Sequence, residues 1–351
     1  VLQAKRTNMG NNSGAVQVPL MDDLWADGKW EKQKFIQTTI EGGRLIQAVD
    51  LFCGGGGATH GFTQAGVQVV LAVDSWNEAL EVHKLNHPDV ETACFELGGS
   101  IIETAAFIRS KLTHGAHFHL HGSPPCQNLS NAGKKDRGEG LRLVEWFLKL
   151  VEYMNPDSWS MENVHPLRRW LDENDVPFVI VNAADYGVPQ TRKRVFAGEG
   201  WLLEPSHVKE DWVSIIDALP HLNGELIEIV NPKIRKRTVH EPIRTITSKT
   251  SSQTKIKINT NGCTESMSKR ARSTDTSIDK PCKTLTRQIP TLRKVNGEAT
   301  KLRALTIEET ATLQGWEGFK VPEGIKKGDL WMIVGNMVSP PVAEAIGRGL
   351  I

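Results

Sequence analysis

Three clusters in the 351-residue chain combine residue types that do chemistry at a spacing that lets them cooperate. In the first, Gly122-Ser123-Pro124-Pro125-Cys126-Gln127-Asn128-Leu129-Ser130, a thiol follows paired prolines just beyond a candidate strand. A cysteine in such a loop is open to electrostatic activation, and its thiolate is a nucleophile. Taken alone, the same cysteine fits an inert buried thiol equally well. The second cluster is split: Met161-Glu162-Asn163-Val164 follows another candidate strand, and Asp185 to Arg194 further on carries Gln190, Arg192 and Arg194 at alternate positions. If these strands end on one edge of a sheet, a nucleophile, a carboxyl group and two arginines face one another there.

The third cluster suits binding. Asp50-Leu51-Phe52-Cys53-Gly54-Gly55-Gly56-Gly57 is a glycine-rich turn feeding a helix. Glycines let backbone approach a ligand closely, and a helix N-terminus favours a negative group such as a carboxylate. Thr59 and His60 break the GxGxxG spacing of a dinucleotide site. Asp74, about 20 residues on at the end of the next strand, is placed to accept hydrogen bonds from ribose hydroxyls. A nucleoside that carries a carboxylate points to S-adenosylmethionine, against the plainer reading of a tight turn with an incidental acid.

The elements that must position these clusters follow from hydropathy patterning. Apolar runs predict strands at 45–52, 69–74, 117–121, 157–161 and 177–181; amphipathic stretches predict helices at 58–65, 77–86, 100–112, 141–154 and 338–349. This alternation predicts a doubly wound α/β sheet. It breaks between about 201 and 303, where Glu241-Pro242-Ile243-Arg244-Thr245-Ile246-Thr247 echoes Lys280-Pro281-Cys282-Lys283-Thr284-Leu285-Thr286 and suggests paired β segments in a small domain. Four segments result: an N-terminal extension at 1–43, a catalytic domain at 44–200, an inserted domain at 201–303 and a C-terminal return at 304–351.

Net charge is +1, but residues 231–303 hold 18 Lys and Arg against five Asp and Glu, a local +13 that leaves −12 on the rest. A basic lobe on an acidic body is the footprint of a polyanion-binding surface. The segment contains no Phe, Trp or Tyr. Aromatic platforms for splayed single strands are thus absent, which favours duplex phosphate and groove contacts. Cysteines 53, 94, 126, 263 and 282 form no CxxC pair, and no segment has the roughly 20 apolar residues of a membrane span. A reducing, cytoplasmic setting and no membrane partner are expected. Histidines 117, 119 and 121 alternate along one strand face. Without acidic or cysteine partners at ligand spacing they read as a packed inter-strand row, and no metal is expected.

In their order along the chain, the Asp-Leu-Phe-x-Gly-x-Gly-Gly turn, Pro-Cys-Gln, Glu-Asn-Val, Gln-x-Arg-x-Arg, Leu305-Thr306 through Gln314-Gly315, and Gly335-Asn336-Met337-Val338 resemble the motifs of the DNA (cytosine-5) methyltransferases. The resemblance covers about residues 45–198 and 300–351. It implies a Rossmann-like methyltransferase sheet with an inserted target-recognition domain, and methyl transfer from S-adenosylmethionine to C5 of a cytosine flipped out of duplex DNA. Cytosine C5 is a poor nucleophile, so Cys126 adds first to C6; Glu162, protonated, bonds N3, Arg194 meets O2, and Arg192 helps position Cys126 and the base. Cofactor contacts are implied for Phe52, Gly54, Gly56, Gly57, Asp74, Ser75, Glu96, Pro125, Leu143, Asn336 and Val338. The Cys94-Phe95-Glu96-Leu97 segment and Ser75 depart from the family pattern, and Trp76 stands beside Ser75 as an alternative cover for adenine. Contacts to DNA are implied for Gln127, Ser130, Thr284, Leu285, Thr286 and Arg287. A monomer is expected, with a cognate restriction endonuclease acting separately. The rival readings are an RNA (tRNA) cytosine-5 methyltransferase on the same frame and a catalytically silent DNA-binding regulator. The motifs name no base for removal of the C5 proton.

Overall fold

The structure is a computed structural model that describes residues 44–125, 138–222, 226–230, 273–276, 282–283, 291–293 and 302–350. In chain order the elements are β1 (Ile46–Leu51), α1 (Gly57–Gln64), β2 (Gln68–Asp74), α2 (Asn77–Asn86), β3 (Glu91–Cys94), α3 (Ile101–Arg109) and β4 (His117–Gly122). They continue with α4 (Gly138–Met154), β5 (Ser158–Val164), α5 (Arg168–Glu173), β6 (Phe178–Asn182), β7 (Gln190–Thr191), β8 (Lys193–Glu199) and α6 (Ile215–Ala218). The last are β9 (Leu226–Val230), β10 (Ser273–Thr276), β11 (Cys282–Lys283), β12 (Thr291–Arg293), β13 (Leu302–Ala304), α7 (Ile307–Leu313), α8 (Lys327–Asn336) and α9 (Pro340–Arg348).

The main sheet has the order β3-β2-β1-β4-β5-β8-β6, with β1 to β5 parallel and β8 antiparallel to both of its neighbours. Strand order reverses between β1 and β4, and in open α/β sheets the crevice at the carboxyl ends of such strands is where ligands bind. The glycine turn after β1 and the Ser123–Pro125 segment after β4 lie at this point. All five expected strands and all five expected helices form, with shifted ends. β5 runs further than expected and carries Glu162 and Asn163 inside the strand, not beyond it.

Each face of the sheet is closed by a helix whose apolar spacing fits it. On α4, Val144, Phe147 and Leu150 are buried while Arg142, Glu145 and Lys149 stay exposed. Burial of a side chain of this class contributes about 1.5–3 kcal/mol. Gly122 at the end of β4 allows this approach, because a Cβ there would meet Phe147 Cε2 at 2.4 Å. On the opposite face Phe62 of α1 packs with Val342 and Ile346 of α9. A third cluster joins α2, α7 and α8 and includes Ile215 and Leu219, so residues following β8 pack with the C-terminal helices.

A second sheet, β10-β9-β12-β13, is built from strands between residues 226 and 304. Of the two echoing stretches, Cys282–Lys283 pairs in parallel with Gln190–Thr191; Glu241 to Thr247 lies outside the described residues. No helix among the described residues is long and apolar enough to cross a membrane.

Candidate active site

The turn after β1 is held from below by carboxylates. Asp50 accepts hydrogen bonds from Thr59 N (3.1 Å) and Thr59 Oγ1 (2.7 Å), fixing the first turn of α1 to the strand. Burial drives the Asp50 carboxyl up to about 7, against the Thr59 hydrogen bonds. Asp74 accepts from Gly54 N (2.8 Å) and Trp76 N (2.9 Å), so it ties the end of β2 to the glycine turn. The turn needs left-handed backbone at Phe52 (φ 57°), Gly54 (φ 52°) and Gly56 (φ 92°). For Phe52 this costs roughly 1–3 kcal/mol, and its ring is held edge-on against Trp146 at 6.1 Å.

These residues fit a small carboxylate-bearing nucleoside. Nothing lies within 4 Å of the place a Cβ of Gly54 would take, so a ligand can approach the backbone there closely. Gly57 is fixed by a different contact, since its Cβ would fall 2.2 Å from the Val338 carbonyl oxygen. Val338 is buried there, and Asn336 is exposed at the end of α8. Ser75 and Glu96 are exposed at the carboxyl ends of β2 and β3. Leu143 of α4 lies over the β3–α3 loop, where a Cβ on Gly98 would meet it at 2.6 Å. Trp76 packs, partly buried, against the α2–α7–α8 cluster.

The Pro-Cys-Gln segment leaves β4 along a fixed path. Ser123 N donates to Leu51 O (3.0 Å) and Ser123 Oγ to Phe52 O (2.9 Å), while Asn163 Nδ2 donates to Pro124 O (3.1 Å). Ser123 and Asn163 thereby join the β1, β4 and β5 ends into one surface. Sequence reasoning gave neither a role, although both stand inside quoted motifs. Pro125 is exposed at the end of this path; Cys126, Gln127, Ser130, Thr284, Leu285, Thr286 and Arg287 lie outside the described residues.

Glu162 of β5 meets Arg194 of β8, with Nε 2.9 Å from Oε1. Burial raises the Glu162 carboxyl above its ordinary range, and the charges of Arg194 and Arg192 pull it back. Arg192 is 2% exposed and donates to the carbonyls of Gly335 (3.2 Å) and Met337 (3.1 Å). It fastens β8 to the segment between α8 and α9. Gln190 and Gln314 add a second buried tie, from Gln190 Nε2 to Gln314 Oε1 (3.0 Å) and from Gln314 Nε2 to Val334 O (3.1 Å). Glu162, Arg192, Arg194 and Ser339 share the lining of a small pocket with room for no more than about one water molecule.

Residues 46–351 match the family model described as C-5 cytosine-specific DNA methylase. The chain belongs to this family. It is a DNA (cytosine-5) methyltransferase, and the methyl donor of the family is S-adenosylmethionine. A Type II methyltransferase of Haemophilus parahaemolyticus, M1.HphI, is 30% identical over 338 residues, 86% of each chain. M.HgiDI of Herpetosiphon aurantiacus, another Type II methyltransferase, is 35% identical over 43% of this chain and about half (51%) of that relative. Among solved structures, a prophage-encoded protein described as a DNA modification methyltransferase (E. coli) has a TM-score of 0.55 at 21% identity, covering 87% of this chain and 98% of that one. Spodoptera frugiperda DNMT2 gives 0.52 at 15% identity over 85% and 97%. These structures share the fold. The family and the Type II relatives favour DNA over the RNA alternative.

Proposed function

We propose that this methyltransferase acts on cytosine in duplex DNA, with Cys126 as nucleophile, Glu162 as proton donor, Arg194 at O2 and Arg192 as a positioning residue. The observation that carries this reading is the largely buried Glu162–Arg194 pair near the carboxyl end of β5, one residue before Asn163, whose amide bonds the Pro124 carbonyl. Addition of a thiolate to C6 pushes electrons toward N3 and O2. The carboxyl, whose hold on a proton burial strengthens, bonds N3 in its protonated form, and a guanidinium neutralises the charge at O2. Arg192 donates to the Gly335 and Met337 carbonyls, which holds the start of β8 and with it Arg194 in place. When bound, S-adenosylmethionine supplies an electrophilic methyl group on a sulfonium. The glycine turn, Phe52, Asp74, Ser75, Glu96, Pro125, Leu143, Asn336 and Val338 would hold it. Calorimetric titration should show cofactor affinity falling at least about tenfold in Asp74→Ala, a loss of about 1.4 kcal/mol; equal affinity would remove Asp74 from the site.

The segment expected at 201–303 is proposed as the target-recognition domain, its +13 stretch lying against phosphates and Gln127, Ser130, Thr284, Leu285, Thr286 and Arg287 near the bases. The enzyme then works as a monomer whose restriction endonuclease partner acts separately. Each phosphate-contacting Lys or Arg of 231–303 changed to Gln should lower the slope of log affinity against log salt by about 1. An unchanged slope in several such variants would place the DNA elsewhere. The direct test of the reaction is C5-methylation mapping of duplex DNA incubated with enzyme and cofactor, beside an RNA of the same sequence. Methylated cytosine in DNA alone is expected.

A further inference from the structure

Ser339 stands where a serine would cap a helix, yet it does not act as a cap. In that place a serine hydroxyl ordinarily accepts from the N–H of the second or third helical residue. The first two residues of α9 are Pro340 and Pro341, which have no N–H, and the third, Val342, donates to the Ser339 carbonyl (3.1 Å). The hydroxyl therefore caps nothing. It is buried all the same: the residue is 5% exposed, and Oγ has no hydrogen-bond partner in the protein. A buried hydroxyl left unsatisfied costs free energy, so the site calls for a partner.

The place for that partner is the small pocket that Ser339 lines together with Glu162, Arg192 and Arg194; its other walls, Val342 of α9 among them, are apolar. A buried water needs two to four polar partners, and a hydroxyl, a carboxyl and guanidinium groups supply them in a space of about one water. Glu162 is oriented toward this pocket and not along its own strand. Ser158 and Ser160, which precede it on the same face of β5, bond His117, His119 and His121 of β4. Glu162 instead meets Arg194 of β8, on the other side of β5.

We propose that Ser339 is a positioning residue of the methyl-transfer site: it holds one water in this pocket, and that water donates to the Glu162 carboxyl. The inference rests on the catalytic reading of Glu162 given above. The Ser339 hydroxyl donates to the water oxygen, the water donates to the carboxyl, and Arg194 holds Oε1. The carboxyl is thus gripped from β8 and from the start of α9, and its plane is set before a base arrives. A donor to the carboxylate also favours the ionised form, opposing the burial that raises Glu162. That balance suits a group that must both give and regain a proton. Among the described residues, the charged groups acting on Glu162 are Arg194 and Arg192 just before it; the side chains that β6 and α9 bring to the pocket are uncharged.

Two variants remove the water by different means. Ser339→Ala takes away the hydroxyl that holds it, and Val342→Ile adds a methylene that takes its room. The measurement is single-turnover methylation of a duplex, with saturating cofactor and DNA, across about pH 6 to 9. Both variants should carry the descending limb of the rate profile to higher pH by about 0.5 to 1 unit, because a carboxylate that loses a donor keeps its proton longer. Either variant carries the test if the other does not fold. A crystal structure of the enzyme should show the water about 2.7–3.1 Å from Ser339 Oγ and from a Glu162 oxygen, and Val342→Ile should lack it. A limb at its wild-type position in both variants, a wild-type pocket without the water, or a loss at every pH that tracks a lowered melting temperature would overturn the role of Ser339. A Glu162→Gln enzyme that kept the wild-type rate and limb would instead overturn the catalytic reading on which that role rests.

Discussion

Cys126→Ser is expected to reduce methyl incorporation into duplex DNA below detection while leaving duplex affinity within about twofold of wild type, because binding draws on phosphate and groove contacts elsewhere. The size of the effect follows from the chemistry. Cytosine C5 becomes nucleophilic only after addition at C6, and a serine hydroxyl, far less acidic than a thiol, does not supply an anion at neutral pH. Filter-bound radiolabelled methyl groups measure the first quantity and fluorescence anisotropy the second. Turnover that survived in Cys126→Ser would remove covalent catalysis by this residue.

Glu162→Gln should slow methylation by about 10² to 10⁴, the usual worth of a positioned general acid. Its pH dependence is the sharper signature. Burial holds the Glu162 carboxyl above its ordinary range, with Arg194 and Arg192 opposing. The protonated, active form therefore predominates below the raised value, and the wild-type rate falls as pH rises through it. Glutamine has no proton to lose, so its residual rate should lack this descending limb. A variant that kept the wild-type limb would assign the ionisation to another group.

Much of the scaffold was legible because β1, β2, β4, β5 and β6 are apolar runs between turn residues, and α4 keeps its buried residues on one face. β3 was not, since Glu91-Thr92-Ala93-Cys94 is short and half polar. β8 was missed because its first residues, Lys193 and Arg194, read as part of a basic motif. α7 had a signal in Thr306-x-x-Glu309, which forms a reciprocal capping box. Glu162 stood out as a candidate through its motif, whereas its pairing with Arg194 depends on an antiparallel register that sets Val164 opposite Arg194. Local pattern does not encode that register. The same holds for the histidine row: its alternation marked one strand face, but its serine partners stand some 40 residues away and meet it only through the β4–β5 register.

Packing adds bonds for Arg192 and Asp74 that local pattern does not show. Sequence gave Arg192 a part in positioning Cys126 and the base; the structure adds its bonds to the Gly335 and Met337 carbonyls, where a buried charge needs such partners. Asp74 was read as a ribose acceptor, and it already braces the turn through Gly54 and Trp76.

The most direct test of the account is mass spectrometry of the denatured complex between the enzyme, S-adenosylmethionine and a duplex carrying 5-fluorocytosine at the target position. Fluorine replaces the proton that must leave before the thiolate is expelled, so the covalent species accumulates. A cofactor-dependent adduct on the peptide containing Cys126, absent in Cys126→Ser, is the predicted result. An adduct mapped to Cys53, Cys94, Cys263 or Cys282, or methylation without any adduct, would contradict it.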